Sequence, residues 1–179
     1  MPSRDPYECG RSMIAEGPIF QLCWVVRDMA AAQQEFSARY GVAQWFTVPD
    51  VHFGPELCEL RSVPADYTIT VGLGYAGGQQ VELIEPRGGV SLYSEHLDRV
   101  GPGLHHAAWV PADYDGALDE ARAAGVEIVA RGKFAGVGME FAYLEGGAIG
   151  SCFELMRLSD EMKAMFDALI PDGFVNPWR

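Results

Sequence analysis

The sequence predicts an α+β protein made of two tandem βαβββ modules, whose mixed sheets form one metal-binding cup, followed by a C-terminal helix. In each half, a strand-like segment of period two precedes a segment of helical period, and three further strand-like segments follow. The two halves also share the spacing between corresponding residues. Asp28 follows Gln21 by seven positions, and Asp113 follows His106 by the same number.

The first module is expected to span residues 18–90. Its opening segment, 19–26, alternates as a strand that carries Gln21 and Cys23 on one face. Asp28 is placed to cap the helix that follows, because its carboxylate can accept from the first free backbone N–H groups. The remaining predicted elements are a strand at 44–48, a turn-rich stretch at 49–57, and strands at 58–63, 67–75 and 80–86.

The second module is expected to span residues 104–158. It opens with the strand-like segment LHHAAWVP, and Asp113 is placed to cap its helix as Asp28 is in the first module. Three strands are then predicted at VEIVAR, MEFAYLE and SCFELMRL. Three further segments lie outside the modules: an N-terminal arm at 1–17, a connector at 91–103, and a C-terminal helix with its tail at 159–179.

Composition argues against several classes of function. The 179 residues carry a formal net charge of −12 and no cluster of Lys and Arg, so a nucleic acid is not an expected partner. No stretch has the apolar length of a membrane span, and the N-terminus lacks the apolar core of a secretory signal. The scattered cysteines are expected as reduced thiols, with Cys23 and Cys152 packed as small hydrophobes. We therefore expect a cytoplasmic protein that acts on a small molecule.

Two carboxylates occupy equivalent positions in apolar strands, Glu82 in VELIEP and Glu154 in CFELMRL. A carboxylate on an inward sheet face is costly unless it is paired or bound to a cation. The alternative is that one or both face solvent on half-exposed strands. Gln21 and His106 stand at matching places at the start of the two modules. Four side chains from two equivalent units therefore predict one shared metal site of Gln21, Glu82, His106 and Glu154.

The donor set has a chemical preference. One imidazole, one amide oxygen and two carboxylates suit a divalent ion such as Zn, Ni, Co, Mn or Mg. Strand alternation sends His105 and His106 to opposite faces, so only His106 is expected in the cup, with His105 beside the ligands or at the surface. His52 and His96 fall in predicted loops and are not expected to bind metal.

The segments FQLCWVVRD, VELIEP, GLHHAAWVPAD and CFELMRL resemble the vicinal oxygen chelate (VOC) superfamily. It includes glyoxalases, methylmalonyl-CoA epimerases, extradiol dioxygenases, and bleomycin or fosfomycin resistance proteins. The resemblance covers roughly residues 18–158 and implies ligand positions one to four at Gln21, Glu82, His106 and Glu154. This set is most similar to those of some glyoxalases and of epimerase-like members. Dioxygenases more often keep two His and one Glu, and sequestering proteins of the bleomycin type lack the ligands.

The resemblance implies a metal-dependent lyase or isomerase that removes a proton next to a carbonyl of a substrate chelated to the metal. Glu154 and Glu82 are the candidate bases, and Glu154 is preferred by resemblance. The expected cofactor is Zn, Ni, Co or Mn rather than Fe. The alternatives are an extradiol-type ring-cleaving dioxygenase and a non-catalytic binder of a small molecule. The superfamily often forms homodimers, and the sequence leaves open whether the four ligands meet within one chain or across a dimer.

Overall fold

The computed structural model describes residues 13–134 and 136–179, so most of the predicted N-terminal arm, with Cys9, lies outside the described residues. Within those ranges the chain forms ten strands and four α-helices. The strands are β1 (Gln21–Val25), β2 (Trp45–Phe53), β3 (Cys58–Leu60), β4 (Val63–Pro64), β5 (Tyr67–Ala76), β6 (Gln79–Gly89), β7 (Gly103–Trp109), β8 (Ile128–Phe134), β9 (Met139–Leu144) and β10 (Cys152–Leu158). The helices are α1 (Met29–Tyr40), α2 (Leu92–Arg99), α3 (Tyr114–Ala123) and α4 (Asp160–Leu169).

All these strands join one curled mixed sheet in the order β2-β5-β6-β1-β7-β10-β9-β8-β3-β4, which forms a half-barrel. β1 runs parallel to β6, β7 runs parallel to β10, and β1 and β7 meet antiparallel at the centre. The series β2-β5-β6-β1 is therefore repeated by β8-β9-β10-β7. The predicted α+β class with repeated βαβββ units is confirmed.

The helices cover both faces of the sheet. On the convex face α1 packs near Val81 and Leu83 of β6, and α3 packs near Ala142 and Leu155 of the second half. On the concave face Tyr93 of α2 and Phe166 of α4 join the largest apolar cluster. Because residues alternate along a strand, side chains at positions 82 and 154 share the concave face with that cluster. Among the described residues, no helix combines the length and apolar character that crossing a membrane requires.

The two predicted helix caps are present at equivalent places. Asp28 Oδ1 accepts from the backbone N–H of Ala31 at 2.9 Å, and Asp113 Oδ1 accepts from that of Gly116 at 2.9 Å. Each bond satisfies one of the backbone donors that the first helical turn leaves free. Gly41 ends α1 with φ 75°, a left-handed conformation that glycine adopts without strain.

We expect Asp28→Ala to lower the free energy of unfolding by about 1 kcal/mol, because the cap of α1 is lost. Urea unfolding followed by circular dichroism measures the change. Asp28→Asn is the matched control, since an amide oxygen caps a helix about as well as a carboxylate. If the free energy of unfolding fell equally in both variants, the charge of Asp28, rather than its capping bond, would stabilise this region.

Two predicted boundaries in the first half are wrong. β2 continues to Phe53 through the stretch predicted as turns, because the long strand β5 offers a partner along its whole length. The pairing shifts register between Val48 and Val51, and Asp50 there has φ 51°. Pro49 is accommodated because β2 lies at an edge of the sheet, where a missing N–H leaves no neighbouring strand unpaired.

The segment predicted as a single strand at 58–63 is instead a hairpin, β3–β4, that turns at Arg61 and Ser62 with φ 50° and 63°. β3 does not extend the first half. It pairs antiparallel with β8 of the second half, where Arg131 and Glu59 form an ion pair at 2.6 Å. A loop of the first half thus completes the sheet of the second.

Candidate metal centre

The four central strands of the sheet bring the predicted ligands onto one face of a single chain. Cys23 of β1 lies beside Glu82 of β6 on one side and beside His106 of β7 on the other. Gln21 lies two residues before Cys23 on the same face. Glu154 lies on β10, which runs beside β7. The four side chains therefore lie on one face of the sheet of a single chain.

Three of the predicted ligands form a compact buried cluster. His106 Nε2 lies 3.4 Å from Glu82 Oε2 and 3.1 Å from Glu154 Oε2. His106 is fully buried, and Glu82, the most exposed of the four candidates, exposes only 8% of its surface. The alternative of solvent-facing carboxylates is therefore wrong for both glutamates.

The cluster perturbs its own ionisation. Burial alone would lower the pKa of His106, but the charges of Glu154 and Glu82 outweigh it and raise the pKa to about 9. Burial raises the pKa of Glu154, against the opposing effect of His106. Two carboxylates in an apolar interior therefore require positive charge between them, which a proton or a metal ion can supply.

One buried atom at this centre, Gln21 Oε1, has no hydrogen-bond partner within residues 13–134 and 136–179. His106 Nε2 faces the two carboxylates. Buried polar atoms rarely remain unpaired. An amide oxygen and an imidazole nitrogen are both lone-pair donors, and with the adjacent carboxylates they match the ligand types of a divalent cation. The residues present therefore fit a metal ion.

Cys23 is a further candidate donor that the sequence prediction treated only as a small hydrophobe. One donor atom each of Cys23, Glu82 and His106 lie within 4.8 Å of one another, and Cys23 is fully buried. Burial and the neighbouring charge of Glu82 raise the pKa of its thiol. The sequence could have indicated Cys23 as a donor, because alternation along β1 places it on the same face as Gln21.

His105 lies buried beside His106, which agrees with the predicted position beside the ligands, but the prediction that alternation sends the two side chains to opposite faces is wrong. The pairing of β7 with β1 shifts register so that His106 lies opposite Cys23 and Leu104 opposite Trp24, which leaves His105 as an extra residue. Such a bulge changes the direction of a side chain. His105 Nδ1 lies 2.9 Å from His106 Nδ1, so it fixes the ring that carries the candidate donor Nε2. Its pKa is lowered to about 2, chiefly by burial, so it stays neutral.

The two remaining histidines lie in regular elements rather than in loops. His52 belongs to β2 and pairs with Asp66 at 2.9 Å on the exposed surface, away from the cluster. His96 belongs to α2, and its ring centroid lies 5.2 Å from that of His105. Neither belongs to the group of residues that converge on His106.

Residues 20–143 match the sequence profile of the glyoxalase/bleomycin resistance protein/dioxygenase superfamily. The chain belongs to this superfamily. The resemblance inferred from the sequence motifs is thereby confirmed. A search among curated protein sequences gives no match.

Solved structures of the same fold include methylmalonyl-CoA epimerase from Mycobacterium tuberculosis, with a TM-score of 0.57 and 18% identity over 81% of this chain and 90% of that one. A variant of methylmalonyl-CoA epimerase from Streptomyces coelicolor, in complex with 2-nitronate-propionyl-CoA, has a TM-score of 0.56 and 21% identity, over 79% of this chain and 96% of its own. A hypothetical protein from Bacillus halodurans C-125 has a TM-score of 0.57 and 15% identity, over 80% and 95% of the two chains. At these identities the similarity shows a common fold.

The superfamily match ends before β10, so it includes Gln21, Glu82 and His106 but not Glu154. The structure places Glu154 next to His106 independently of that match.

Tyr143 lies opposite Glu154 on the neighbouring strand, and its hydroxyl lies 2.7 Å from that of Tyr93. The two tyrosines border a crevice of about 10 Å³, which has room for roughly one water molecule.

Proposed function

We propose that this chain is a divalent-metal-dependent isomerase or lyase that removes a proton next to the carbonyl of a small-molecule substrate. The observation that carries the proposal is the buried cluster of His106 with Glu82 and Glu154, beside the unpartnered oxygen of Gln21. A buried ionic cluster of this kind contributes little to stability compared with apolar packing, so a functional reason is needed for it.

Four residues would hold the ion: Gln21, Glu82, His106 and Glu154. Zn, Ni, Co or Mn suit these donors better than iron, because the set has one imidazole rather than two. When bound, the metal supplies Lewis-acid polarisation of a substrate oxygen, which stabilises the charge that develops when the neighbouring proton leaves.

Glu154 is the proposed base, and to act as one it would leave the metal when the substrate binds. Its pKa is raised by burial, so its carboxylate accepts a proton from carbon more readily than an exposed glutamate would. Tyr143 lies opposite Glu154, and a hydrogen bond from its side chain acts against this rise in the pKa. Glu82 is the second candidate, at the equivalent place in the first module. If Glu154 takes the proton from one face of the carbon and a second group, such as Glu82, supplies a proton to the other face, the reaction is an epimerisation; return of the proton to another atom gives an isomerase.

An acyl-CoA is the first substrate class to test. Methylmalonyl-CoA epimerases share the fold, and a cavity of about 410 Å³ reaches His105, the neighbour of His106. Arg99 lines this cavity and could pair with an anionic group of such a substrate, whereas Arg61, also in the lining, is paired with Glu95 at 2.7 Å. Because the ligands themselves are buried, we expect α2, which carries Tyr93, to move when a substrate reaches the metal.

Metal content tests the proposal directly. We expect about one equivalent of Zn, Ni, Co or Mn per chain in the purified protein. Removal by a chelator should lower the melting temperature, because an ion that binds only the folded state stabilises it, by about 2.7 kcal/mol at a concentration one hundred times the Kd. Elemental analysis and thermal unfolding with and without added metal measure both effects.

Three other results would contradict the proposal in different ways. One equivalent of iron with oxygen consumption would indicate the dioxygenase. No metal after reconstitution would indicate a non-catalytic binding protein. Metal binding without exchange of the substrate α-proton for deuterium, with methylmalonyl-CoA and with smaller α-hydroxy-carbonyl compounds, would refute the proposed reaction and retain the metal site.

A further inference from the structure

We propose that Asp167 of α4 sets the orientation of the Gln21 amide at the metal centre through a buried chain of hydrogen bonds. This inference rests on the proposed function, in which the oxygen of Gln21 is a metal ligand. The chain of bonds, here called the amide relay, consists of Gln21, Gln80, Tyr75, Asn176 and Asp167. It connects the C-terminal segment to the first strand of the cup.

Four consecutive hydrogen bonds form the amide relay. Gln21 Nε2 donates to Gln80 Oε1 at 2.7 Å, and Gln80 Nε2 donates to the Tyr75 hydroxyl at 2.9 Å. That hydroxyl donates to Asn176 Oδ1 at 3.0 Å, and Asn176 Nδ2 donates to Asp167 Oδ1 at 2.9 Å. The first four side chains are buried, with at most 3% of their surface exposed.

The direction of every bond in the amide relay follows from its last member. An ionised carboxylate only accepts hydrogen bonds, so the NH₂ group of Asn176 must face Asp167. The oxygen of Asn176 then faces Tyr75, whose hydroxyl donates to it and accepts from the NH₂ group of Gln80. The oxygen of Gln80 in turn accepts from Gln21, which leaves Gln21 Oε1 for the metal centre.

Asp167 is suited to this role because it stays ionised. Burial would raise its pKa, but hydrogen bonds from Asn176, Arg179 and Trp178 lower the pKa below its ordinary value. The ring centroid of Trp178 also lies 5.0 Å from that of Phe20, and Phe20 precedes Gln21 in the chain. The C-terminal segment is therefore held against β1 by both apolar and polar contacts.

The repeat supports the assignment by its asymmetry. Gln80 lies beside Gln21 in the first module, and at the equivalent place in the second module Cys152 lies beside His106. The oxygen and the NH₂ group of a glutamine amide are similar in size, so rotation of the amide by 180° would present NH₂ instead of oxygen to a cation. The relay occurs at the module whose ligand is an amide, whereas the imidazole of His106 is fixed by His105 instead.

The test is the Kd of Zn²⁺ for the metal-free protein, measured by competition with a chelating dye. Tyr75→Phe breaks the amide relay in its middle, and Asp167→Asn removes the group that fixes its direction. We expect each to weaken Zn²⁺ binding by ~10-fold, as is typical when partners behind a metal ligand are removed. In a Gln21→Ala background the same substitutions should change the Kd by about twofold or less.

The control is Tyr114→Phe, which removes a hydroxyl from α3, outside the amide relay, and should leave the Kd unchanged. Equal weakening by Tyr75→Phe with and without Gln21 would show a merely structural role and overturn the proposal. No weakening by either relay variant, while Gln21→Ala weakens binding, would also overturn it and leave the proposed function intact. If Gln21→Ala has no effect, Gln21 is not a ligand, and both the relay and that part of the proposed function fail.

Discussion

Glu154→Gln is expected to abolish proton exchange at the substrate carbon while the protein still binds about one metal ion. The substitution changes an oxygen to an NH₂ group with almost no change of volume, and the remaining amide oxygen is still a serviceable ligand. It removes the capacity to accept a proton, which contributes typically ~10²–10⁴-fold to the rate of such reactions. We therefore expect kcat to fall by at least that factor, to below what the exchange measurement detects.

The measurement combines deuterium exchange into methylmalonyl-CoA, followed by nuclear magnetic resonance, with elemental analysis of the same sample. Glu140→Gln is the matched control, because Glu140 lies on the adjacent strand β9 and pairs with Lys133 near the surface. The control should keep wild-type activity. Full activity in Glu154→Gln would transfer the role of base to Glu82, and Glu82→Gln would then show the loss.

His106→Ala is expected to abolish metal binding and to destabilise the fold. The imidazole lies between two buried carboxylates, and without it Glu82 and Glu154 face each other with no positive group between them. Removal of one partner from a buried ionic cluster typically costs about 3–5 kcal/mol. Chemical unfolding of the metal-free variant and of the metal-free wild type measures this difference, and dye competition measures the Kd.

The double variant His106→Ala with Glu82→Gln separates charge from packing. If repulsion between carboxylates causes the loss, removal of one charge should recover part of the stability without restoring the metal. If the cavity left by the imidazole causes it, the double variant should be no more stable than the single one. Wild-type affinity for metal in His106→Ala would show that the centre does not depend on this residue.

Repetition made the equivalent placement of several candidate residues predictable. Residues at one offset in both halves, such as Gln21 and His106 before Asp28 and Asp113, indicated equivalent strands and helices, and the structure has them. Glu82 was singled out by its equivalence to Glu154, and not by alternation, because β6 is apolar and buried on both faces around it. The local sequence pattern was sufficient to predict strands and helices wherever the backbone is regular.

The errors occur where the backbone is irregular or where pairing is distant. The bulge at His105 inverts the direction of a side chain, and nothing in the sequence near it differs from an ordinary strand. The pairing of β3 with β8 joins segments far apart in the chain, which no local pattern specifies. The amide relay escaped prediction for the same reason, since Asn176 lies far from Tyr75 in sequence.

The pairing of β3 with β8 has a consequence for how the chain reaches its native state. Without β3, strand β8 would be the outer edge of the second half, and open edges invite intermolecular strand pairing. Here β3 of the first half covers that edge, so the second half depends on the first for its protection. The long sequence separation of these contacts also favours slow folding, because distant segments must meet before the edge is closed.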